Sequence, residues 1–504
     1  MLFRSPNEVA PVDAESPENA DDPVEETDAE PTPAFDLPVL ENGGFDIVIG
    51  NPPYGATLTQ AEKDYITEHY ETTEYNFDTY KTFFELGMNL LKPDGYLGFI
   101  TPNTYFVLEK GGEKLRRFLF DHATLLNVAE LFNVFPDAVV EPAISIFQKR
   151  APEDNAPLEV LSLPRNTSKT ANFYADGVKN EFTQKDLKAR EGYLFNFRET
   201  KEEQVLRAKI DKISVPLGKY FHVSAGVKPY EKGKGKPAQT AEMIKARCYE
   251  TFEPKDGWTK YIRGENIGRY ENRWSGEYVL YGENLAAPRK SEMFTNPKLF
   301  VRRTDDVLRA TFDDSGFVGN NSIHCVYPRE GNRGVSLKFA LALINSKLVQ
   351  WVYQHDNFHM IGKPFAEVKV VFVERLPLPI LDDKTVAEKI EGYADTLLRL
   401  HQARHDTAKK FVDYLVAAYK PKKLTEKLRE CLEGDFDALI KELKAQKATL
   451  SAADKMELLP LFTETREKCA ALAREINAAE NALDTEIFKI YALTAEEIAI
   501  MERK

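Results

Sequence analysis

Asn51-Pro52-Pro53-Tyr54 is the segment of this 504-residue chain whose residue types could act together chemically. Two consecutive prolines fix φ and remove two backbone N–H donors. The carbonyls there are therefore held stiffly and can point outward. The Asn51 side-chain oxygen and the Pro52 carbonyl offer two acceptors that can converge on one point. An exocyclic amino group, with its two N–H donors, fits that pair. Accepting both N–H bonds draws the nitrogen towards sp³ character and makes its lone pair available. Tyr54 adds an aromatic face on which a base could stack. The plainer alternative is a proline-stiffened connection with a buried tyrosine, and what precedes the tetrapeptide weighs against it.

Phe45-Asp46-Ile47-Val48-Ile49, bounded by Gly44 and Gly50, reads as a short buried strand. The tetrapeptide thus follows a strand's carboxyl end, where α/β sheets bind ligands. Tyr80, Phe83, Phe84, Met88 and Leu91 recur at helical spacing, and Pro93-Asp94-Gly95 stops that helix. Residues 96–100 read as a strand, 111–121 as a helix, 125–131 as a strand and 143–147 as another. The alternation predicts an α/β sheet whose last two strands form an antiparallel edge. From about 217 to 330 the pattern becomes short strands and turns. One helix follows, with Phe339, Leu343, Leu348, Trp351 and Val352 on its apolar side. After Leu376-Pro377-Leu378-Pro379 two helical stripes, one through Ile390, Tyr393, Leu397 and Leu400 and one from Leu472 to Ile490, predict a hairpin or coiled-coil-like arm. No internal repeat is present.

Charge is unevenly distributed. Residues 1–41 hold twelve acids and one base, Arg4, and so supply −11 of the net −13. A stretch so acidic and apolar-poor is expected to be disordered over residues 1–40. Residues 217–380 hold 25 Lys and Arg against 18 Asp and Glu, a local net of +7 that permits phosphate contact. No apolar run approaches bilayer length, and no signal-peptide core opens the chain, so no membrane partner is expected. Cys248, Cys325, Cys431 and Cys469 lie far apart with no CxxC pair, so neither a metal site nor a disulfide framework is expected. A reducing, cytoplasmic location follows.

Residues 41–149 resemble the adenine-specific DNA methylases of restriction–modification systems. The match rests on residues 41–55, which carry Asn51-Pro52-Pro53-Tyr54 and its lead-in, and on residues 90–103, from Leu90 to Asn103. The region after Leu217 is similar to a TaqI-type target-recognition domain, through residues 262–267 and 374–379. Residues 490–497 resemble the usual C-terminus of that family. The resemblance implies that adenine is flipped out of double-stranded DNA and methylated at N6 from S-adenosylmethionine. Asn51 and the Pro52 carbonyl would bind the amino group, Pro53 would stiffen the corner and Tyr54 would stack. Phe135, beside Pro136, would cover the other face of the base. The amine would attack the sulfonium methyl in line, with no metal and no covalent intermediate, so catalysis would rest on positioning and electrostatics. The fold class implied is α/β: a partial Rossmann-like methyltransferase sheet, then a mixed α/β target-recognition domain and a helical region. The boundaries expected are 1–40 for the acidic tail and 41–190 for the catalytic half of the methyltransferase domain. Residues 191–380 would form the recognition domain and 381–504 the helical hairpin.

The sequence departs from this family at one point. A glycine-rich turn and an acidic residue for S-adenosylmethionine should precede the catalytic motif, and only the acidic tail does. Gly111-Gly112 reads as a helix-start turn and Gly233-Lys234-Gly235 as a flexible basic loop. No cofactor-binding residue can therefore be named. Either the chain is a truncated remnant, the favoured expectation, or a separate polypeptide supplies the cofactor half. DNA contacts are expected from Lys228, Lys232, Lys234 and Lys236, with Arg263, Arg302, Arg303 and Lys363. Arg302 and Arg303 face opposite ways by strand alternation, so one of the two is expected to reach DNA. Taken singly, each of these is better explained as solvated surface; taken together inside the recognition-like region, the set points to DNA contact. The alternative reading of the whole is a non-catalytic DNA sequence-recognition module. A third, an adenine methylase from a phage-defence system of another type, shares the chemistry.

Overall fold

The computed structural model describes residues 41–74, 77–108, 111–131, 141–162, 177–332, 334–358, 361, 366–381 and 383–503. The acidic segment 1–40, Phe135 and Lys363 lie outside them. The chain divides into two compact units, residues 1–200 and 201–504.

The first unit is built on a six-stranded sheet in the order β1-β2-β4-β3-β5-β6. Its strands are β1 (Phe45–Gly50), β2 (Leu91–Pro102), β3 (Thr124–Glu130), β4 (Pro142–Gln148), β5 (Pro157–Ser162) and β6 (Val178–Thr183). Helices α1 (Gln60–His69), α2 (Thr79–Leu90) and α3 (Glu113–His122) connect the early strands. β1 and β2 are parallel, as the crossover through α1 and α2 requires. The expected antiparallel pair forms, but not at an edge: β4 inserts between β2 and β3, antiparallel to both, and β5 and β6 extend the sheet further.

The sheet's core forms where α2 lays its apolar stripe on β2 and β4. Phe84 is fully buried, with ring centroids 5.3 Å from Phe99, 5.2 Å from Tyr105 and 5.9 Å from Phe147. Gly87 permits the approach, since a Cβ there would meet Leu97 Cδ1 at 2.7 Å. Helix α2 ends at Leu90, before the Pro93-Asp94-Gly95 that was expected to stop it. Those three residues form an irregularity inside β2, where Asp94 takes φ 62° and the register to β1 shifts.

One expectation is overturned at β1. It was read as a buried strand, yet Ile47 is 55% and Ile49 62% exposed. β1 lies at the sheet's edge, bonded to β2 alone among the described residues. Its Ile47 and Ile49 share a face with Tyr96 and Ile146, which are also exposed. A strand apolar on both faces is the pattern of a parallel sheet covered on both faces, and among the described residues the face carrying Ile47, Ile49, Tyr96 and Ile146 is exposed.

The second unit opens with α4 (Lys201–Lys212), β7 (Ser214–Pro216) and β8 (Phe221–Ala225). Next come β9 (Glu250–Thr251), β10 (Thr259–Ile262), β11 (Ile267–Gly268), β12 (Glu271–Asn272) and β13 (Tyr278–Val279). The remaining strands are β14 (Lys298–Arg302), β15 (Ala310–Asp313), β16 (Val318–Gly319), β17 (Ile323–Pro328) and β18 (Pro377–Pro379). The antiparallel sheet β15-β14-β17-β8 is central. Strand alternation sends Leu299, Val301 and Val326 into one core and Phe300, Ile323 and Cys325 into another on the opposite face. The single helix expected after residue 336 is two, α5 (Leu337–Ile344) and α6 (Lys347–Asp356). Asn345 breaks it by bonding both backbone groups of Ala310, at 3.0 and 2.9 Å, and the Ser346 hydroxyl caps α6.

The predicted arm is present as α7 (Lys384–Tyr419) and α9 (Ala452–Ile490), with α8 (Phe436–Ala445) between them. The two long helices run antiparallel: Ile390 and Leu397 share a core with Leu483 and Ile487, while Phe411 and Leu415 pack with Leu458 and Phe462. The first of those cores also contains the central sheet, so the arm's base and the strands form one unit. Among the described residues no helix is long and apolar enough to cross a membrane.

Asp484 of α9 accepts the first N–H of α6, from Lys347, at 2.9 Å. Burial raises this carboxyl from 3.8 to about 6. Between those two values the unfolded chain releases a proton that the folded chain holds, so stability falls as pH rises through that window. Asp484→Asn keeps the acceptor without the charge. We expect it to raise the melting temperature of the second unit by about 2–6 °C at pH 7.5 and to leave it unchanged near pH 4. Differential scanning calorimetry at the two pH values checks this.

Candidate functional site

The strand directions gather one set of loop residues. β1, β2 and β3 all point the same way, since β4 is antiparallel to both β2 and β3. Their carboxyl ends therefore deliver Asn51, Asn103 and Leu131 to one end of the sheet.

Asn51 is exposed, Pro52 buried, Pro53 exposed and Tyr54 half-buried. Pro52 thus seats the corner while Asn51 faces outward. Among the described residues neither the Asn51 side chain nor the Pro52 carbonyl is taken by a hydrogen bond. The next carbonyl is taken: Thr79 Oγ1 donates to Pro53 O at 2.6 Å. Gly55, at φ 73°, turns the chain, and its N–H donates to Asp78 Oδ1 at 3.2 Å. Partial burial pushes the Tyr54 phenol above its ordinary range, so the ring stays neutral. Burial also raises the Asp78 carboxyl, against the Gly55 N–H and Lys81, which lower it.

Next to this corner lies a buried charge network that the sequence analysis did not single out. Asn103 Nδ2 donates to Glu130 Oε1 at 3.0 Å, and Arg198 Nε donates to Glu130 Oε2 at 2.9 Å. Glu130 is fully buried, so its charge is sustained by these donors. The network ties the end of β2 to the end of β3, from which the segment containing Phe135 departs. Phe135 itself is outside the described residues. Asn103 was visible as a strand-end residue, but its partners lie 27 residues or more away in sequence.

In the second unit the basic residues separate into two kinds. Arg263 bonds Glu277 at 2.7 Å and Glu250 at 2.8 Å, and both carboxylates are buried. Arg303 bonds Glu367 at 2.6 Å and the Asn321 carbonyl at 2.9 Å. Arg302 donates to the Thr304 carbonyl and lies 3.5 Å from Asp305. These three guanidinium groups hold the fold. Lys228 and Lys236 form exposed pairs with Glu231 and Glu283, which are weak and exchangeable. Lys232 and Lys234 are exposed with no ion pair among the described residues. Lys363 is outside them.

The lysine loop was read as flexible, and the structure corrects this. Gln239, 2% exposed, donates to the Pro229 and Asn284 carbonyls, both at 2.8 Å, and accepts the Glu231 N–H at 2.9 Å. Gly233 and Gly235, at φ 78° and 81°, make its turns. A lone glutamine among glycines and lysines carries no sequence signal of that bracing.

Among the described residues no three His, Cys, Asp or Glu side chains could hold a metal ion. No glycine-rich turn follows a strand at the Asn51 end either: Gly43-Gly44 precede β1, and Gly111-Gly112 lead into α3.

Comparison with known proteins finds matches in both units. Residues 6–135 match the model of the Eco57I restriction-modification methylase family. Residues 259–378 match the TaqI-like C-terminal specificity domain, and residues 383–487 match a domain of unknown function. A Methanocaldococcus jannaschii protein named as a type II restriction enzyme and methyltransferase is 24% identical over 388 residues, 75% of this chain and 31% of that protein. A type II restriction enzyme and methyltransferase of Escherichia coli is 40% identical over 91 residues, 17% of this chain and 9% of that one. A type II methyltransferase of Thermus thermophilus is 24% identical over 322 residues, covering 61% and 66%. The chain therefore spans about a third of the first relative's length and less than a tenth of the second's.

The loop bracing yields a prediction. Gln239→Ala removes three hydrogen bonds, each contributing about 1 kcal/mol. Amide hydrogen exchange across residues 230–239 should accelerate at least about ten-fold while the central sheet keeps its protection. Unchanged exchange would mean that the loop is held some other way.

Proposed function

We propose that this chain, with its matches to a restriction-modification methylase family and to a TaqI-like specificity domain, provides the adenine-binding and target-reading portion of a DNA adenine-N6 methyltransferase. One observation carries the proposal. The Asn51 side chain and the Pro52 carbonyl are left unbonded at the carboxyl end of β1, while the carbonyl beside them is capped. Two acceptors with nothing to accept, next to a half-buried tyrosine, suit an extruded purine amino group.

The roles follow from what each residue can do. Asn51 and the Pro52 carbonyl accept the two N6–H bonds and hold the amine with its lone pair directed away from them. Tyr54 stacks on the base, a contribution of about 1–3 kcal/mol. Phe135 is proposed for the opposite face. Lys232 and Lys234, with Lys228 and Lys236 after their surface pairs open, neutralise phosphates of double-stranded DNA, and Lys363 joins them in the proposal. Arg263, Arg302 and Arg303 shape the recognition unit rather than touch DNA.

S-adenosylmethionine is the methyl donor proposed for the complete enzyme, and the described residues do not hold it. Its binding half would add parallel strands at the open edge of β1, and the helices that connect such strands would cover Ile47 and Ile49 on the exposed face. A longer natural chain or a separate polypeptide could supply that half. The same open edge favours a second reading for this chain on its own: a DNA-reading module without catalysis.

Isothermal calorimetry and methylation assays test the division of labour. The purified chain should shift duplex DNA with an affinity that falls steeply with salt, and should bind no S-adenosylmethionine. Where a complete enzyme is assembled, label from S-adenosylmethionine should appear only as N6-methyladenine. Asn51→Ala should remove at least about 99% of it with duplex affinity kept within about two-fold. Label on cytosine, or full activity in Asn51→Ala, would overturn the assignment.

A further inference from the structure

Helix α2 begins unusually. Its N-cap residue, Asp78, makes no side-chain hydrogen bond to its own helix, although an N-cap carboxylate is normally worth about 1 kcal/mol there. The carboxylate instead takes the Gly55 N–H, 23 residues back. The residue after it, Thr79, is buried, and its hydroxyl reaches Pro53 O at 2.6 Å. Two consecutive residues of α2 thus grip the chain immediately before and immediately after Tyr54.

This grip does something the corner cannot do for itself. Pro52 and Pro53 lack N–H groups, so the tetrapeptide has no donor at those positions with which to fix its own carbonyls. An outside donor must decide which carbonyl is occupied. Thr79 occupies that of Pro53 and leaves that of Pro52 to pair with Asn51. Asp78, through Gly55, sets the exit of the turn and hence the direction of the Tyr54 ring.

Resting on the function proposed above, we infer that Asp78 and Thr79 are positioning residues that select the Pro52 carbonyl as the second acceptor for the purine amino group and hold Tyr54 in its stacking attitude. Neither touches the base; both act through residues 53–55. Thr79→Val keeps shape and volume but loses the donor. The freed Pro53 carbonyl then becomes a competing acceptor, and the corner loses its preference for a base with an amino group at position 6.

The test uses the full chain and single-stranded oligonucleotides, which avoid both the unknown target sequence and the cofactor. Two otherwise identical strands carry one adenine or one purine, the same base without its amino group, and their affinities are compared by fluorescence anisotropy. The wild-type chain should prefer adenine about five-fold, the worth of one net hydrogen bond, and Asn51→Ala should abolish the preference. Thr79→Val should abolish it as well, while Thr79→Ser, which restores the hydroxyl, should recover it. Loss of global stability would weaken both strands alike and leave the ratio unmoved. Preference lost in Asn51→Ala but retained in Thr79→Val overturns the positioning role and leaves the base-binding corner standing. No preference in the wild type, or full preference in Asn51→Ala, overturns the base-binding reading itself.

Discussion

Two adjacent prolines leave the corner after β1 short of two backbone donors, and the first unit is arranged around that deficit. At the end of β1 the chain must turn with two donors missing, and what is missing there becomes useful. A carbonyl that no neighbour can reach stays open to a ligand. The cost is that the corner cannot hold its own shape. Pro52 is seated by burial, Gly55 supplies the left-handed turn, and α2 supplies the donor and acceptor the corner lacks. The depth at which α2 lies on the sheet, set by Gly87 against Leu97, therefore bears on the corner as well as on the core. Packing and chemistry share one helix.

The same strand that carries the corner is the least covered in its sheet. Ile47 and Ile49 stand largely in water, and burying each would contribute about 1–2 kcal/mol. Edge strands that remain edges usually carry charges, bulges or prolines that discourage pairing. β1 has its register shift at Phe45–Ile47 and one ion pair, between Asp46 and Lys92; Ile47-Val48-Ile49 beyond them is unguarded. The strand that ends in the corner is thus the apolar edge of its sheet, and the corner lies beyond a strand's carboxyl end, where open α/β sheets bind ligands.

The first unit was legible in the sequence wherever a local pattern and its structural consequence coincide. Helix α2, the strands and the tetrapeptide's place after β1 follow from periodicity and from glycine and proline punctuation. Sheet order was not legible. β3 and β4 pair as expected, but their position in the sheet depends on β5 and β6, which no short pattern links to them. The burial of β1 was misjudged for a related reason: its residues report the environment the strand is built for, which the described neighbours only half provide. The break between α5 and α6 was missed because Asn345 is ordinary at a helix end, and only its pairing with Ala310, 35 residues away, decides that the helix stops there. The anchoring of the corner was hidden in the same way. Asp78 occupies the N-cap place, but its carboxylate is turned to Gly55, 23 residues back.

In the recognition unit, counting charges misled about availability. A net of +7 over residues 217–380 suggests a surface of free cations, yet the guanidinium groups among the candidates are committed to carboxylates or carbonyls, and the two described candidate lysines without an ion pair, Lys232 and Lys234, sit on one braced loop. This division has a physical logic. Arginine's planar fork satisfies several acceptors at once and suits a structural joint between short strands such as β10 and β13, which have few ladder bonds of their own. Lysine, compact and strongly hydrated, makes point contacts with phosphates without demanding geometry. A loop that presents lysines from a rigid frame contributes affinity and register but little sequence discrimination. On the proposed function, reading of base edges would then fall to other polar side chains of the unit, within the frame that Arg263, Arg303 and Gln239 hold in place.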